Sequence, residues 1–213
     1  MNAGDGNDTL EFTDEQFPHV NGGDGDDVIN APVGVLNGDA GNDTITSNIF
    51  DGLPESRPSL SGGAGDDVLH VQHILGLDNT FDNEIAYLTG GEGNDDFIVE
   101  LFDGVVPRIN AMGDLETLSF DAAQVEILDL VPGEDTLTID VSSFTEAGRY
   151  ELVDVEVRGY APSDDMPEGV RHAVIVSLLE QGQTEPFVTV VRFLSVGGEV
   201  TLDDVTILTG LAA

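Results

Sequence analysis

The sequence predicts an all-β chain, repetitive in its first half and built of ordinary strands in its second. Three observations carry this. A glycine- and aspartate-rich motif returns five times between residues 3 and 98, each time followed by an apolar residue at a fixed place. The second half is a series of short β-branched runs separated by turn residues. No stretch shows the spacing of a long amphipathic helix. A length of 213 residues is enough to bury a sizeable core.

The five motifs are "AGDGNDTLE" from Ala3, "GGDGDDVIN" from Gly22, "GDAGNDTIT" from Gly38, "GGAGDDVLH" from Gly62 and "GGEGNDDFI" from Gly90. Aligned, they read G-G-x-G-[ND]-D-x-U-x, with U apolar. Ala3 departs at the first position and Asp39 at the second. The eighth position is Leu10, Ile29, Ile45, Leu69 and Phe97. With 40% of the chain apolar, five matches in five would arise by chance about one time in a hundred. Two residues before the later motifs stand Val20, Leu36, Leu60 and Leu88. The apolar positions therefore follow the glycines, which a flexible acidic linker would not require.

Charge narrows the function. There are 42 acidic residues against 6 basic ones, all arginine, for a net charge of −36. Such a surface repels nucleic acid and anionic lipid. Halophilic adaptation would spread acid evenly and would not tie it to glycine, so the pattern favours a fold that needs counter-cations. Cysteine is absent, which excludes disulfides and thiolate metal sites. No apolar run approaches the ~20 residues of a membrane span. "MNAGDGNDTL" lacks the basic and apolar regions of a cleaved signal peptide. It leads straight into a motif, which reads as a chain cut from something longer or as one whose upstream repeats are missing.

These residues resemble the RTX (hemolysin-type) calcium-binding nonapeptide family, with consensus GGxGxDxUx. The resemblance covers residues 3 to 98. It implies a parallel β-roll in which two nonapeptides make one turn and Ca2+ sits between stacked loops. It also implies that the ligands are the sixth-position aspartates, here Asp8, Asp27, Asp43, Asp67 and Asp95, with carbonyls of the loop glycines. Those glycines are Gly4, Gly6, Gly23, Gly25, Gly41, Gly63, Gly65, Gly91 and Gly93. Motif starts are 19, 16, 24 and 28 residues apart, not the 18 of a perfect tandem. The spacing is read as one calcium loop per turn, with insertions in the other half. Five motifs would enclose four inter-turn sites, and the last two gaps are long enough to put their stacking register in doubt.

The chemistry suits the composition. Tight turns with positive φ favour glycine. Calcium takes 6–8 oxygen ligands, and small residues let carbonyls approach it. Strands in a sheet lie ~4.8 Å apart, so stacked loops hold their carboxylates about 5 Å apart. At an effective dielectric near 20, two such charges repel by about 3 kcal/mol, which a divalent ion between them reverses. Asp5, Asp24, Asp26, Asp66 and Glu92 occupy variable positions and are read as solvated acid ahead of direct ligands.

The expected organisation is an RTX roll over residues 1–119, with a degenerate last turn, and a β-rich C-terminal cap over 120–213. "VEILDL", "DTLTID", "YELVDVEVRGY", "HAVIVSLLE", "PFVTVVRFLSV" and "EVTLDDVTIL" read as strands, "EQGQTEP" as a hairpin connection, and "YAPSDDMPEGV" as a loop. "NAMGDLETLSF" and "VPGEDTLTI" echo the motif faintly. They are either decayed turns or unrelated ones, so Asp114 and Asp135 are not offered as ligands. The tail "VTLDDVTILTGLAA" has the acidic, hydroxyl and apolar mix of type I secretion signals; a frayed final strand is the other reading.

No catalytic residues are assigned. His70 and His73 in "HVQH" read as strand residues, and H-E-x-x-H, G-x-S-x-G and phosphate-binding loops are absent. Ser142 and Ser143 in "DVSSFTE" read as a turn. The resemblance implies a secreted calcium-binding module that folds on extracellular Ca2+ and stabilises itself or an attached partner, with a type I exporter as a transient partner. The alternatives are an accessory module of a secreted protease, lipase or polysaccharide-modifying enzyme, or an adhesin whose C-terminal half binds a glycan or protein.

Overall fold

A computed structural model describes residues 1–13, 18–49, 58–75, 86–103, 125–145, 148, 150–160, 170–184, 186–195 and 198–210. Ten strands come from the repeat half: β1 (Asn2–Asp5), β2 (Thr9–Glu11), β3 (His19–Asp24), β4 (Val28–Ala31), β5 (Val35–Ala40), β6 (Thr44–Ile49), β7 (Ser59–Ala64), β8 (Val68–Leu75), β9 (Ala86–Glu92) and β10 (Asp96–Asp103). Odd-numbered strands pair in parallel in one sheet and even-numbered strands in another. Each glycine-rich motif carries the chain from the first sheet to the second, so all five loops lie along one side. This is a parallel β-roll.

The alternation seen in the sequence explains the core. The eighth-position residues Ile29, Ile45, Leu69 and Phe97 are buried from the second sheet. They meet Val20, Leu36, Leu60 and Leu88 from the first. Burying one such side chain stabilises by roughly 1.5–3 kcal/mol. A slip of one residue would turn the whole set outward, so this core also fixes the register.

The doubt over the last two gaps is corrected. Asp39 pairs with Gly63 and Gly63 with Gly91, in the same register as the earlier turns. In sequence, the extra residues fall after an even strand and before the next odd one, whereas the motifs join odd strands to even ones. Residues 50–57 and 76–85, within the expected insertions, lie outside the described residues, as do Asp114 and residues 161–169 of the expected loop "YAPSDDMPEGV", whose end residues Tyr160 and Val170 are in strands.

The two sheets run on beyond the fifth motif. β11 (Val125–Leu130) pairs in parallel with β9, and β12 (Thr136–Asp140) with β10. "VPGEDTLTI" is thus a sixth turn, with Leu137 buried at the eighth position. Next come α1 (Ser142–Thr145), β13 (Tyr150–Tyr160), β14 (Val170–Glu180), β15 (Phe187–Ser195) and β16 (Val205–Leu208). β13, β14 and β15 form an antiparallel meander, with a described turn at 181–184 where the hairpin was expected. β15 joins β11 in parallel and β16 joins β12, so both sheets are continuous into the C-terminal half. Two readings change. "DVSSFTE" contains a short helix whose Phe144 packs edge-on against Tyr150. "EVTLDDVTIL" begins with a 3-10 turn at Leu202–Asp204, held by a Thr201–Asp204 capping box, before its strand.

The loops stack closely enough to need glycine twice over. Gly63 has φ +123, and a Cβ built there would lie 2.1 Å from the Asp39 carbonyl oxygen of the preceding turn. Gly133 in the sixth turn also has positive φ, +85, but a Cβ there would meet nothing within 4 Å. Gly133→Ala should therefore cost about 1 kcal/mol, from backbone strain alone. Gly63→Ala should cost about 1–3 kcal/mol more, from overpacking. Urea unfolding in saturating Ca2+ measures both, and equal losses would mean the loops do not stack this tightly.

Candidate metal centre

The site is built from two ladders of side chains that run along the loops in opposite directions. At the sixth position, each backbone N–H donates to the aspartate of the following turn. Asp8 N donates to Asp27 Oδ1 at 2.7 Å, Asp27 N to Asp43 Oδ1 at 2.8 Å, Asp43 N to Asp67 Oδ1 at 2.7 Å, and Asp67 N to Asp95 Oδ1 at 2.9 Å. At the fifth position the sense reverses: Asp26 N donates to Asn7 Oδ1, Asn42 N to Asp26 Oδ1, Asp66 N to Asn42 Oδ1, and Asn94 N to Asp66 Oδ1.

The sixth-position ladder uses only one oxygen of each carboxylate. Asp27, Asp43, Asp67 and Asp95 are each 1% exposed. The second oxygens of Asp27, Asp43 and Asp67 are buried with no hydrogen-bond partner. An ionised carboxylate oxygen left so is costly, because burial without compensation is the expensive case. Each also faces another oxygen. A Cβ built on Gly22 would lie 2.1 Å from Asp27 Oδ2 and 2.8 Å from the Gly38 carbonyl oxygen of the next turn. The same pair recurs over Gly38, from Asp43 Oδ2 and Gly62 O, and over Gly62, from Asp67 Oδ2 and Gly90 O. A carboxylate oxygen and a carbonyl oxygen thus converge in the three gaps between turns two and five. Hard oxygen donors without protons suit a hard cation.

The two ends differ. Asp8 in the first turn is only partly buried. Over Gly90 the three nearest atoms, out to 3.0 Å, all belong to Asp95. The sixth turn closes itself instead. Asp135 Oδ1 accepts from Asp95 N at 2.9 Å, continuing the ladder, while Asp135 Oδ2 accepts from Val131 N at 2.7 Å. Asp129 then accepts from Gly90 N and Gly91 N, where β11 no longer pairs with β9.

All nine glycines expected at the loops, from Gly4 to Gly93, have positive φ. Asp39 is the one described non-glycine residue with positive φ, at +77. Its carboxylate accepts from Asn21 Nδ2 at 2.5 Å, which helps hold it there. Asp26 and Asp66 were read as solvated acid; they are exposed but serve as fifth-position rungs. His70 Nε2 lies 3.0 Å from Glu100 Oε2 on the outer face of the second sheet. Among the described residues, no three His, Cys, Asp or Glu side chains gather around one point. Carbonyls must therefore supply much of any coordination shell.

In the C-terminal half, Ser195 Oγ lies 3.2 Å from His172 Nδ1, and both residues are buried. Val200 N donates to His172 Nε2 at 3.4 Å. Ser195 Oγ donates to the Gly198 carbonyl at 2.7 Å. These contacts tie Ser195 and His172 into one buried hydrogen-bonded network.

Burial is the main cause raising the carboxyls of Asp67 and Asp95 from an ordinary 3.8 to about 6, and it raises Asp43 too. Neighbouring aspartates add to the effect, while the backbone donors oppose it. A carboxyl raised in this way binds its proton more readily in the folded chain than in the unfolded one. The resulting stabilisation is complete below the unfolded value of 3.8 and is lost as pH rises through about 6. The metal-free chain should therefore gain β structure when pH falls from about 7.5 to about 5, and calcium should bind more weakly as protons compete. Circular dichroism with and without chelator reads this, and a flat metal-free response would contradict the burial.

The RTX calcium-binding nonapeptide repeat model matches residues 19–31, 35–51 and 59–71, with four copies. These segments hold the second, third and fourth loops and the three unpartnered carboxylate oxygens. No curated protein and no solved structure matches the chain. The chain thus carries RTX calcium-binding nonapeptide repeats, wound as a β-roll, and Ca2+ is the cofactor that such repeats bind.

Proposed function

We propose that this chain is a secreted module whose roll orders when Ca2+ fills the gaps between its loops. The observation that carries the reading is the set of three buried, unpartnered oxygens on Asp27, Asp43 and Asp67, each bordering a glycine carbonyl of the next turn. Those aspartates, with the carbonyls of Gly38, Gly62 and Gly90, are the proposed ligands. Asp8 and Asp95 flank the row, and the loop glycines shape it. Bound Ca2+ supplies positive charge and a geometry that neutralises the stacked carboxylates. The chain itself contributes the register, through its apolar core, and the exclusion of water.

Low calcium inside a cell would leave the loops mutually repelled and the chain easy to thread through an exporter. Higher calcium outside would order it. Type I export and a role in steadying an attached partner belong to the same reading. Their support is the repeat type and the charge balance, with Arg57 the one arginine and no lysine in the first 103 residues of the sequence.

Titrating the metal-free chain with Ca2+ under circular dichroism tests the proposal. β structure should rise cooperatively, with a midpoint of about 10⁻⁴–10⁻³ M, as for extracellular modules, and Mg2+ should substitute poorly. Asp43→Asn removes the charge of a buried mid-stack oxygen and should shift the midpoint about tenfold, equivalent to about 1.4 kcal/mol. Asp24→Asn, exposed in the same row of loops, should shift it little. Equal shifts for the two variants, or a metal-free roll already fully ordered at pH 7.5, would overturn the assignment.

A further inference from the structure

We infer that Asn21–Gly22 and Asn37–Gly38 are deamidation sites that the ordered roll shields, so that time spent without calcium ages the chain chemically. The last clause rests on the calcium-driven ordering proposed above. These are the two Asn-Gly pairs in the sequence. Both occupy the same place in consecutive turns, with asparagine just before the motif and glycine at its first position.

The reaction needs no catalyst. The backbone nitrogen of the glycine attacks the asparagine side-chain carbonyl carbon, ammonia leaves, and a five-membered imide forms. Water then opens the ring at either carbonyl, giving aspartate or a β-linked isoaspartate. Glycine at the attacking position leaves the approach unhindered, because it has no Cβ, and it lets an unordered backbone reach the required geometry most freely.

The structure explains why this hazard sits here. Replacing either glycine would force a shift, since a Cβ on Gly22 would lie 2.1 Å from Asp27 Oδ2 and 2.8 Å from the Gly38 carbonyl oxygen, and one on Gly38 would lie 2.0 Å from Asp43 Oδ2 and 2.7 Å from the Gly62 carbonyl oxygen. The preceding residue does vary, and in the fourth and fifth turns it is Ser61 and Thr89. In the ordered roll the reaction is held off. Asn21 and Asn37 lie opposite one another in β3 and β5, in extended backbone. Their side chains are tied outward: Asn21 Nδ2 donates to Asp39 Oδ2 at 2.5 Å, and Asn37 Nδ2 donates to Asn21 Oδ1 at 3.2 Å. Ring closure must break these contacts and the strand pairing, so it proceeds only through local opening. Each ~1.4 kcal/mol of opening cost slows it tenfold.

The product would damage the site. An aspartate at 21 places a carboxylate against that of Asp39. An isoaspartate adds a backbone carbon next to Gly22 and breaks the register that seats Asp27.

The test incubates the whole chain at mildly alkaline pH in three solutions, one with calcium, one with chelator and one with urea. Peptide mass spectrometry follows both pairs, and circular dichroism reports order in each sample. Deamidation at 21 and 37 should be at least about tenfold slower in calcium than in urea. Where dichroism shows the chelated chain unordered, its rate should approach the urea rate. Chain aged in chelator should then need more Ca2+ to order, and Asn21→Ser with Asn37→Ser should abolish that ageing shift. Equal rates in calcium and urea would overturn the inference, as would intact pairs in an unordered chain. A chelated chain that dichroism shows to be ordered would instead refute calcium-driven ordering. The calcium and urea samples would still decide whether the roll shields these pairs.

Discussion

The structure turns on buried carboxylates stacked at the spacing of a β-sheet. Strands ~4.8 Å apart bring Asp27, Asp43, Asp67 and Asp95 into one column, and each is 1% exposed. Their ladder bonds offset part of the cost, since every Oδ1 accepts a backbone N–H from the turn before. The second oxygens of three of them have no such relief. The roll therefore carries an electrostatic deficit along one side while its apolar core holds the two sheets in register. Protons can reduce that deficit, and a divalent ion can remove it. Sodium screens at a length of ~8 Å at 0.15 M but supplies no coordination geometry.

The fifth-position ladder handles the same problem without metal. It reads Asn7, Asp26, Asn42, Asp66 and Asn94, so no two carboxylates are adjacent. Asn94 donates through its side chain to Asp66 and holds that carboxyl below its ordinary range. Alternating amide with acid doubles the distance between charges, whereas the sixth position is aspartate in every turn. The sixth turn shows a third solution. There Val131 N–H binds the oxygen of Asp135 that Asp27, Asp43 and Asp67 leave bare, and Asp129 caps Gly90 and Gly91. The column ends on a turn whose buried aspartate is satisfied by the chain itself.

Much of this was legible in the sequence, because the repeat couples two signals. Glycine and aspartate spacing located the loops, and the apolar eighth position located the core. What misled was motif spacing. Gaps of 24 and 28 residues put register in doubt, yet the added residues fall between an even strand and the next odd one, and the loop-bearing strands keep their register. Asp135 was left between a decayed turn and an unrelated one, since Leu130 and Val131 replace the first two glycines of its motif. The signal that could have found it was Leu137, apolar two residues after the aspartate. The ladder roles of Asp26 and Asp66 were not legible, since an exposed acid looks the same in sequence whether or not a neighbouring turn donates to it. Nor was the His172–Ser195 network, whose partners come from separate strands and a loop.

The most direct test is to crystallise the chain in calcium and locate the ions by anomalous scattering. Peaks should lie in the three gaps between turns two and five, within 2.3–2.6 Å of Asp27, Asp43 and Asp67 Oδ2, the range for calcium–oxygen bonds. The Asp135 turn should keep its Val131 contact. Ions found only elsewhere, with those three oxygens still bare, would contradict the account.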